Sequence, residues 1–337
     1  MRKVNHFFGM MCMAALLVVG ASSCNKDNKQ PVSSFDFELP AIEGTSPFEG
    51  EKAYVDLVAN KLKWYEGDQV MVYSIDQDYT NSQTAVYDGE ANMSGQTTTH
   101  FTGTPLNQGS EGFFVFYPAD KASTTITEGN RATFSVGATQ AHTTDLYTGT
   151  AYAGRIFMDP QGVVAASTCD AQVNATMKHI FGFVTVKVKD TNNSGKKVTS
   201  VAITDNNMHL TGSISIKIPQ LTESILNGMK TLGQNYKNGS VDAESYATTL
   251  NNYLQQIGYE SNPEGNTVTL TCPAAEITSA YKYFTIPLRP GALMKGFTVT
   301  LTYDDNTTES KAFDAAAKEY IVIPGTYTNI ALDLATL

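Results

Sequence analysis

The chain has 337 residues, 42% hydrophobic, 17% charged and 10% aromatic, with a formal net charge of −10. Few charges and many aromatics exclude global disorder, and the acidic balance weighs against nucleic acid, which needs a basic face. The length suits two domains of ordinary size, and 17 Tyr, 16 Phe and abundant Val and Thr favour strands.

From the N-terminus, Arg2 and Lys3 precede an apolar run, Phe7 to Gly20, that is short for a bilayer span. It leads into Ala21-Ser22-Ser23-Cys24, small residues directly before a cysteine. The segment resembles bacterial lipoprotein signals of the type II signal peptidase class. That resemblance implies residues 1–23 as signal peptide and Cys24 as the acylated first residue. A plain secretory signal with an incidental cysteine is the competing reading. Cleavage there removes Arg2 and Lys3, leaving 21 basic against 33 acidic residues, or −12. No later apolar run is long enough to span a membrane, so the lipid is the expected attachment. Cys12 leaves with the signal. Cys169 and Cys272 remain, and a disulfide between them and two small buried hydrophobes are both open.

Residues 24–34 read as a tether without apolar periodicity. Period-two alternation then predicts strands over Phe35–Leu39, Gln69–Ser74, Gly112–Tyr117, Ala132–Val136, Ile180–Lys189 and Val198–Ile203. More follow over Ser213–Ile218, Thr267–Thr271, Lys282–Leu288, Phe297–Tyr303, Glu319–Ile323 and the final Thr326–Leu337. In Ile180–Lys189 the alternation points Val184, Val186 and Val188 at a core and Thr185 and Lys187 at water. Turn signals such as Glu66-Gly67-Asp68 and Asn193-Ser194-Gly195 separate the strands. Many short strands at regular spacing point to antiparallel sandwiches, with a domain boundary at 168/169.

Between residues 219 and 258 the period changes to that of helices. Leu221, Ile225, Met229 and Leu232 share one face, with Gly233 as the expected stop. Tyr246, Leu250, Tyr253, Leu254 and Ile257 share the next, with Ser240 as cap, Asp242 and Glu244 at the positive end and Gly258 as terminator. The pair reads as a helical hairpin inserted in the second domain, covering one end of a sheet. Deleting Gln220–Glu260 should then leave most of the β structure intact.

Catalytic signatures are missing. His6, His100, His142, His179 and His209 show no metal-ligand spacing, and nucleophile-elbow, phosphate-loop and dinucleotide motifs do not occur. Asp76-Gln77-Asp78 and Asp304-Asp305-Asn306 lack the rest of a calcium loop and read as acidic hairpin turns. The expectation is a non-enzymatic protein with no cofactor, no metal and no nucleic-acid partner.

The stretch Lys52-Ala53-Tyr54-Val55-Asp56, then Trp64-Tyr65-Glu66-Gly67-Asp68 and the strand Gln69-Val70-Met71-Val72-Tyr73, resembles the opening of Bacteroidetes fimbrillin-like (Mfa-like) lipoproteins. Trp64, Gly67 and Asp68 match that family's W-x-x-G-D turn. Phe101-Thr102-Gly103, Phe116-Tyr117-Pro118, Gln140, His179, Leu210-Thr211-Gly212, Phe284-Thr285-Ile286-Pro287, Pro290-Gly291 and Lys295-Gly296-Phe297 follow in the family's order. The resemblance implies an all-β protein of two tandem Greek-key, transthyretin-like sandwiches, residues 35–168 and 169–337, carried to the outer membrane. It implies a fimbrial subunit acting in assembly and adhesion, with other subunits or host and bacterial surface ligands as partners. In polymerising members a trypsin-like protease removes the first strand after a basic residue, opening a groove for the next subunit's strand. Only Lys52, Lys61 and Lys63 lie in the required interval, and no arginine occurs between Arg2 and Arg131. The C-terminal strand has no further apolar extension to donate. The reading therefore favours a lipid-retaining accessory, anchor or tip-like subunit. Its alternatives are a non-polymerising outer-membrane lipoprotein that binds glycan or protein, and an enzyme whose site is assembled from distant residues. Trp64 is expected as a core anchor beside its turn rather than a sugar-stacking ring.

Overall fold

The computed structural model describes residues 31–38, 64, 67–91, 96, 98–110, 112–117, 119, 125–128, 130–141, 163–165, 174–217, 220, 222–316 and 318–337. Cys24, Lys52, Lys61, Lys63 and Cys169 lie outside them, as do His6, His142, Leu39, Ile218 and Leu221.

The first strand, β1 (Val32–Glu38), opens ahead of the expected Phe35 and takes in the end of the supposed tether. β2 (Gln69–Ile75), β3 (Gln83–Gly89), β4 (Thr98–Leu106) and β5 (Gly112–Tyr117) follow, then β6 (Arg131–Val136), β7 (Thr139–Ala141), β8 (Val163–Ala165) and β9 (Asn174–His179). β1, β4, β3, β2, β5, β8 and β9 pair in that order and close into a barrel, the last contact being the parallel pair β1–β9. Phe35, Phe37, Val70, Val72, Tyr87, Phe101, Phe113 and Val115 fill its interior.

β2 and β5 are apolar at nearly every position because both of their faces are covered. Val70 and Val72 point into the barrel, while Met71, Tyr73 and Ile75 point outward into a second core; β5 divides Phe113 and Val115 from Phe114 and Phe116 in the same way.

β10 (Gly182–Lys189), β11 (Lys197–Asp205) and β12 (Thr211–Lys217) lead into α1 (Glu223–Lys237) and α2 (Ala243–Gln256). β13 (Glu260–Gly265), β14 (Thr267–Glu276), β15 (Lys282–Leu288), β16 (Phe297–Tyr303), β17 (Thr308–Phe313) and β18 (Tyr327–Asp333) complete the chain. The three further sheets run β15-β10-β18, β17-β16-β11-β14-β7 and β13-β12-β6. Val184 and Val186 of β10 meet Val201 and Ile203 of β11 and Val299 and Leu301 of β16 in a third core. The protein is thus strand-dominated, with one helical hairpin among the described residues. Strands pair across the expected 168/169 boundary: β9 completes the barrel, and β6 and β7 join β12 and β14.

The helices start and stop where local chemistry satisfies their ends. Thr222 caps α1 by accepting from the Ile225 amide at 3.4 Å, and Asp242, not Ser240, caps α2 by accepting from Ser245 at 2.8 Å. Gly233 does not stop α1. It lies buried within the helix, where a Cβ would stand 2.5 Å from Ile323 Cγ1, so glycine serves a close approach there. The hairpin does not pack by itself. Leu226, Met229, Leu232 and Tyr236 of α1 and Tyr246 and Leu250 of α2 pack in one core with Tyr73, Phe114 and Phe116 from the barrel's outer wall and Ile214 and Ile216 from β12.

Two further expectations fail for the same reason, cover from a distant segment. Thr185 faces no water: it is fully buried, its hydroxyl 2.8 Å from that of Thr285. Glu319–Ile323 is not a strand. Lys318–Tyr320 form a 3-10 turn, after which Ile321 and Ile323 enter the second core and Val322 the third.

Candidate assembly site around the first strand

β1 pairs antiparallel with β4 along its length, with a register shift between Val32 and Ser34, and its last three residues, Asp36–Glu38, pair parallel with β9 on the other edge. Two aromatic side chains add to this ladder. The Trp64 indole Nε1 donates to the Phe37 carbonyl at 2.9 Å, and the Tyr87 hydroxyl donates to the Val32 carbonyl at 2.8 Å and the Thr104 carbonyl at 3.0 Å. The strand is therefore gripped near its start and near its end. Between these points the Phe35 ring packs at 5.1 Å from Phe113 and 5.5 Å from Tyr87. On the outward side, His100 Nδ1 lies 2.8 Å from an Asp36 carboxylate oxygen, both side chains 43% exposed.

Trp64 is 1% exposed and meets Phe101 at 4.8 Å and Tyr117 at 5.0 Å, both edge-on. No face of the indole is open to stack on a sugar. Gly67 sits in the turn that follows, at φ +92°, with nothing within 4 Å of an added Cβ; backbone conformation, not space, requires glycine there. The Asp68 carbonyl accepts from Gly89, which ties the turn to the end of β3 just before β2 begins.

Of the sequence-marked residues, Trp64 contacts β1 directly and Gly67 and Asp68 shape the turn beside it. Tyr87, Asp36 and His100 were not singled out in this role. β3 and β4 alternate weakly, because Thr and Gly occupy many of their positions, and Tyr87, Phe101 and Leu106 are the large side chains that mark an inward face.

Away from β1, Asp304-Asp305-Asn306 forms the β16–β17 turn, where Asp305 accepts from the Thr307 amide at 2.9 Å and hydroxyl at 2.6 Å. Asp76 accepts from the Ser110 amide at 2.8 Å in the β2–β3 loop. Among the described residues, no group of three or more His, Cys, Asp or Glu is placed to hold a metal ion, and no helix is long and apolar enough to cross a membrane. Cys272 is a free thiol that burial pushes up to about 12, away from reactive thiolate character.

No family model and no curated protein matches the sequence. Solved structures do. A candidate cell adhesion protein from Bacteroides ovatus is similar at 13% identity, covering 91% of this chain and 94% of that one, with a TM-score of 0.46. A fimbrial protein from the same species aligns at 11% identity over 90% of this chain and 49% of its own, with a TM-score of 0.37. The fimbrial anchor protein Mfa2 from Porphyromonas gingivalis aligns at 11% identity over 83% and 81%, with a TM-score of 0.30.

The Tyr87 grip carries a pH signature. Burial pushes this phenol up to about 12. The folded value lies above the ordinary ~10, so its contribution is intact below about pH 10 and is lost as the pH rises through about 12, the unfolded chain shedding its proton first. Tyr87→Phe should cost about 1–2 kcal/mol at neutral pH. The gap to wild type should shrink on titration toward about pH 12. Denaturant midpoints of both chains across that range check it, and a constant gap would contradict the account.

Proposed function

We propose that the protein is a lipid-anchored cell-surface subunit of the fimbrillin type, in an accessory, anchor or tip-like role in fimbria assembly and adhesion. In this reading it consists of two Greek-key sandwiches, residues 35–168 and 169–337, that lend each other strands. Its partners are other fimbrial subunits or ligands on host or bacterial surfaces.

The observation that carries the proposal is the double pairing of β1, the element that follows the tether from Cys24. An acyl chain on Cys24 would pull on the fold through β1. Force along that strand loads both ladders and the Trp64 and Tyr87 bonds together, in shear. Loss of β1 would open a strand-shaped slot between β4 and β9, take the Phe37 carbonyl from the Trp64 indole and leave the Tyr87 hydroxyl with the Thr104 carbonyl alone. Retention of β1 suits an anchor or tip; its removal after Lys52, Lys61 or Lys63 would suit a stalk subunit that accepts a donor strand.

Intact mass and N-terminal sequencing of the protein from its native membrane test this directly. The expected terminus is an acylated Cys24. Cys24→Ala should abolish lipid labelling and move the protein to the soluble fraction, since the two chains of the diacylglycerol on Cys24 supply the membrane affinity. A terminus at Ala53, Leu62 or Trp64 would overturn the retained-strand role, and lipid labelling that survives Cys24→Ala would overturn the anchor.

A further inference from the structure

The foot of the helical hairpin holds an apolar cleft. Ile216 of β12, Met229 of α1, Leu254 of α2 and Ile257 just beyond it line this space with Tyr259 and Pro290. The cleft encloses about 320 Å³, its open mouth included. Water needs two to four polar partners, so walls built of such side chains hold it poorly.

Its rim is cationic. Arg289, half-buried, follows β15 and precedes Pro290, and its Nη1 donates to the Tyr259 hydroxyl at 3.3 Å. A guanidinium carries five N–H donors, and this long bond is the one hydrogen bond it makes among the described residues. Its Nε–H is buried without an acceptor, and among the described residues no carboxylate pairs with it. Arg131, which meets the same segment, shows the ordinary arrangement. Its Nη2 lies 2.7 Å from a Glu260 carboxylate oxygen, and its Nη1 donates to the Gly258 carbonyl at 2.6 Å. The Tyr259 hydroxyl accepts from Arg289, and its own hydrogen has no acceptor among the described residues. Burial pushes this phenol up, and the Arg289 guanidinium draws it part of the way back, so it stays a donor at neutral pH. A sheltered cation without an acid is an exception in a chain of 33 acidic and 23 basic residues. Donors left unmatched in this way cost free energy that a bound anion returns.

We infer that the cleft binds a short aliphatic monocarboxylate, with its head on Arg289 and the Tyr259 hydroxyl and its tail against Met229, Leu254 and Ile257. One cation beside one hydroxyl donor matches a single carboxylate, and a second anionic group would be left against apolar walls. The same walls reject a sugar, whose hydroxyls would find no partners there. Water can meet the outer edge of the guanidinium, but it leaves the cleft behind unfilled. A hydrocarbon tail fills it and is removed from solvent at the same time.

Titration of the full chain carrying Cys24→Ala with hexanoate, followed by nuclear magnetic resonance of isotope-labelled methionine methyl groups, tests this. Binding should saturate in the roughly millimolar range of small ligands. The largest shift should belong to Met229, assigned through Met229→Leu. From butyrate to hexanoate the affinity should rise about fourfold per methylene. Hexanol, with the same tail and no charge, should bind about tenfold more weakly. Arg289→Gln, with an unchanged circular dichroism spectrum, should weaken hexanoate about tenfold and leave hexanol within about twofold. The inference is overturned by a titration that does not saturate, by a largest shift at another methionine, or by an affinity that ignores chain length. Equal binding of hexanoate and hexanol would overturn it too, as would an Arg289→Gln chain that binds hexanoate like the parent or loses both ligands alike. If Arg289→Gln fails to fold, the comparison of hexanoate with hexanol on the parent chain decides.

Discussion

Trp64→Ala should unseat β1 and lower stability by about 3–5 kcal/mol, the range for removing a large buried aromatic. The ring touches Phe101 and Tyr117 inside the barrel, so its loss leaves a cavity lined by rigid aromatics that have little room to collapse. The indole N–H also holds the Phe37 carbonyl, near the end of β1. Trp64→Phe separates the two contributions: it keeps much of the packing and loses the bond, at about 1–2 kcal/mol for that bond. Denaturant unfolding followed by far-ultraviolet circular dichroism gives the stability change. Hydrogen exchange locates it, with β1 amides expected to lose protection ahead of those in β16. Since Trp64 is the single tryptophan, wild-type fluorescence reports on this barrel alone. An Ala variant that unfolds at the wild-type midpoint would remove Trp64 from the grip on β1.

Removing the helical hairpin should cost the protein its cooperative fold. Deletion of Gln220–Glu260 would bare Tyr73, Phe114 and Phe116 on the outer wall of the barrel together with Ile214 and Ile216 of β12. Re-exposing three aromatic side chains at 150–250 Å² each costs on the order of 10 kcal/mol. The whole stability of a domain is about 5–15 kcal/mol. The expected product keeps part of its far-ultraviolet β signal but loses near-ultraviolet signal and a sharp thermal transition. Tyr246→Ala offers a milder test, at about 3–5 kcal/mol, because its ring packs 4.9 Å from Tyr236 between the two helices. A deletion variant that melts cooperatively with native near-ultraviolet dichroism would make the hairpin an appendage after all.

Both predictions depend on features that were legible in the sequence to different degrees. The runs Gln69–Ser74, Gly112–Tyr117, Lys282–Leu288 and Phe297–Tyr303 announce themselves as strands, because local alternation and aromatic or β-branched content are properties of a few neighbouring residues. Both helices showed in the spacing of Met229 and Leu232 and of Tyr246 and Leu250, and Trp64 was marked as a core residue by its place before a tight turn.

Which core each face joins was not legible. Periodicity separates one side of an element from the other, but it says nothing about what a distant segment lays against the second side. Alternation therefore points Thr185 at water although its hydroxyl pairs with that of Thr285 of β15, and local spacing makes Gly233 a helix stop although Ile323 needs its missing Cβ. β13, with the sequence Glu260-Ser261-Asn262-Pro263-Glu264-Gly265, carries no strand signal and is a strand because β12 pairs with it. The grip on β1 is likewise a product of closure. Tyr87 reaches Val32 across 55 residues and Trp64 reaches Phe37 across 27. Such pairs are set by how the barrel closes, a long-range balance of burial against chain entropy that no local window of sequence contains.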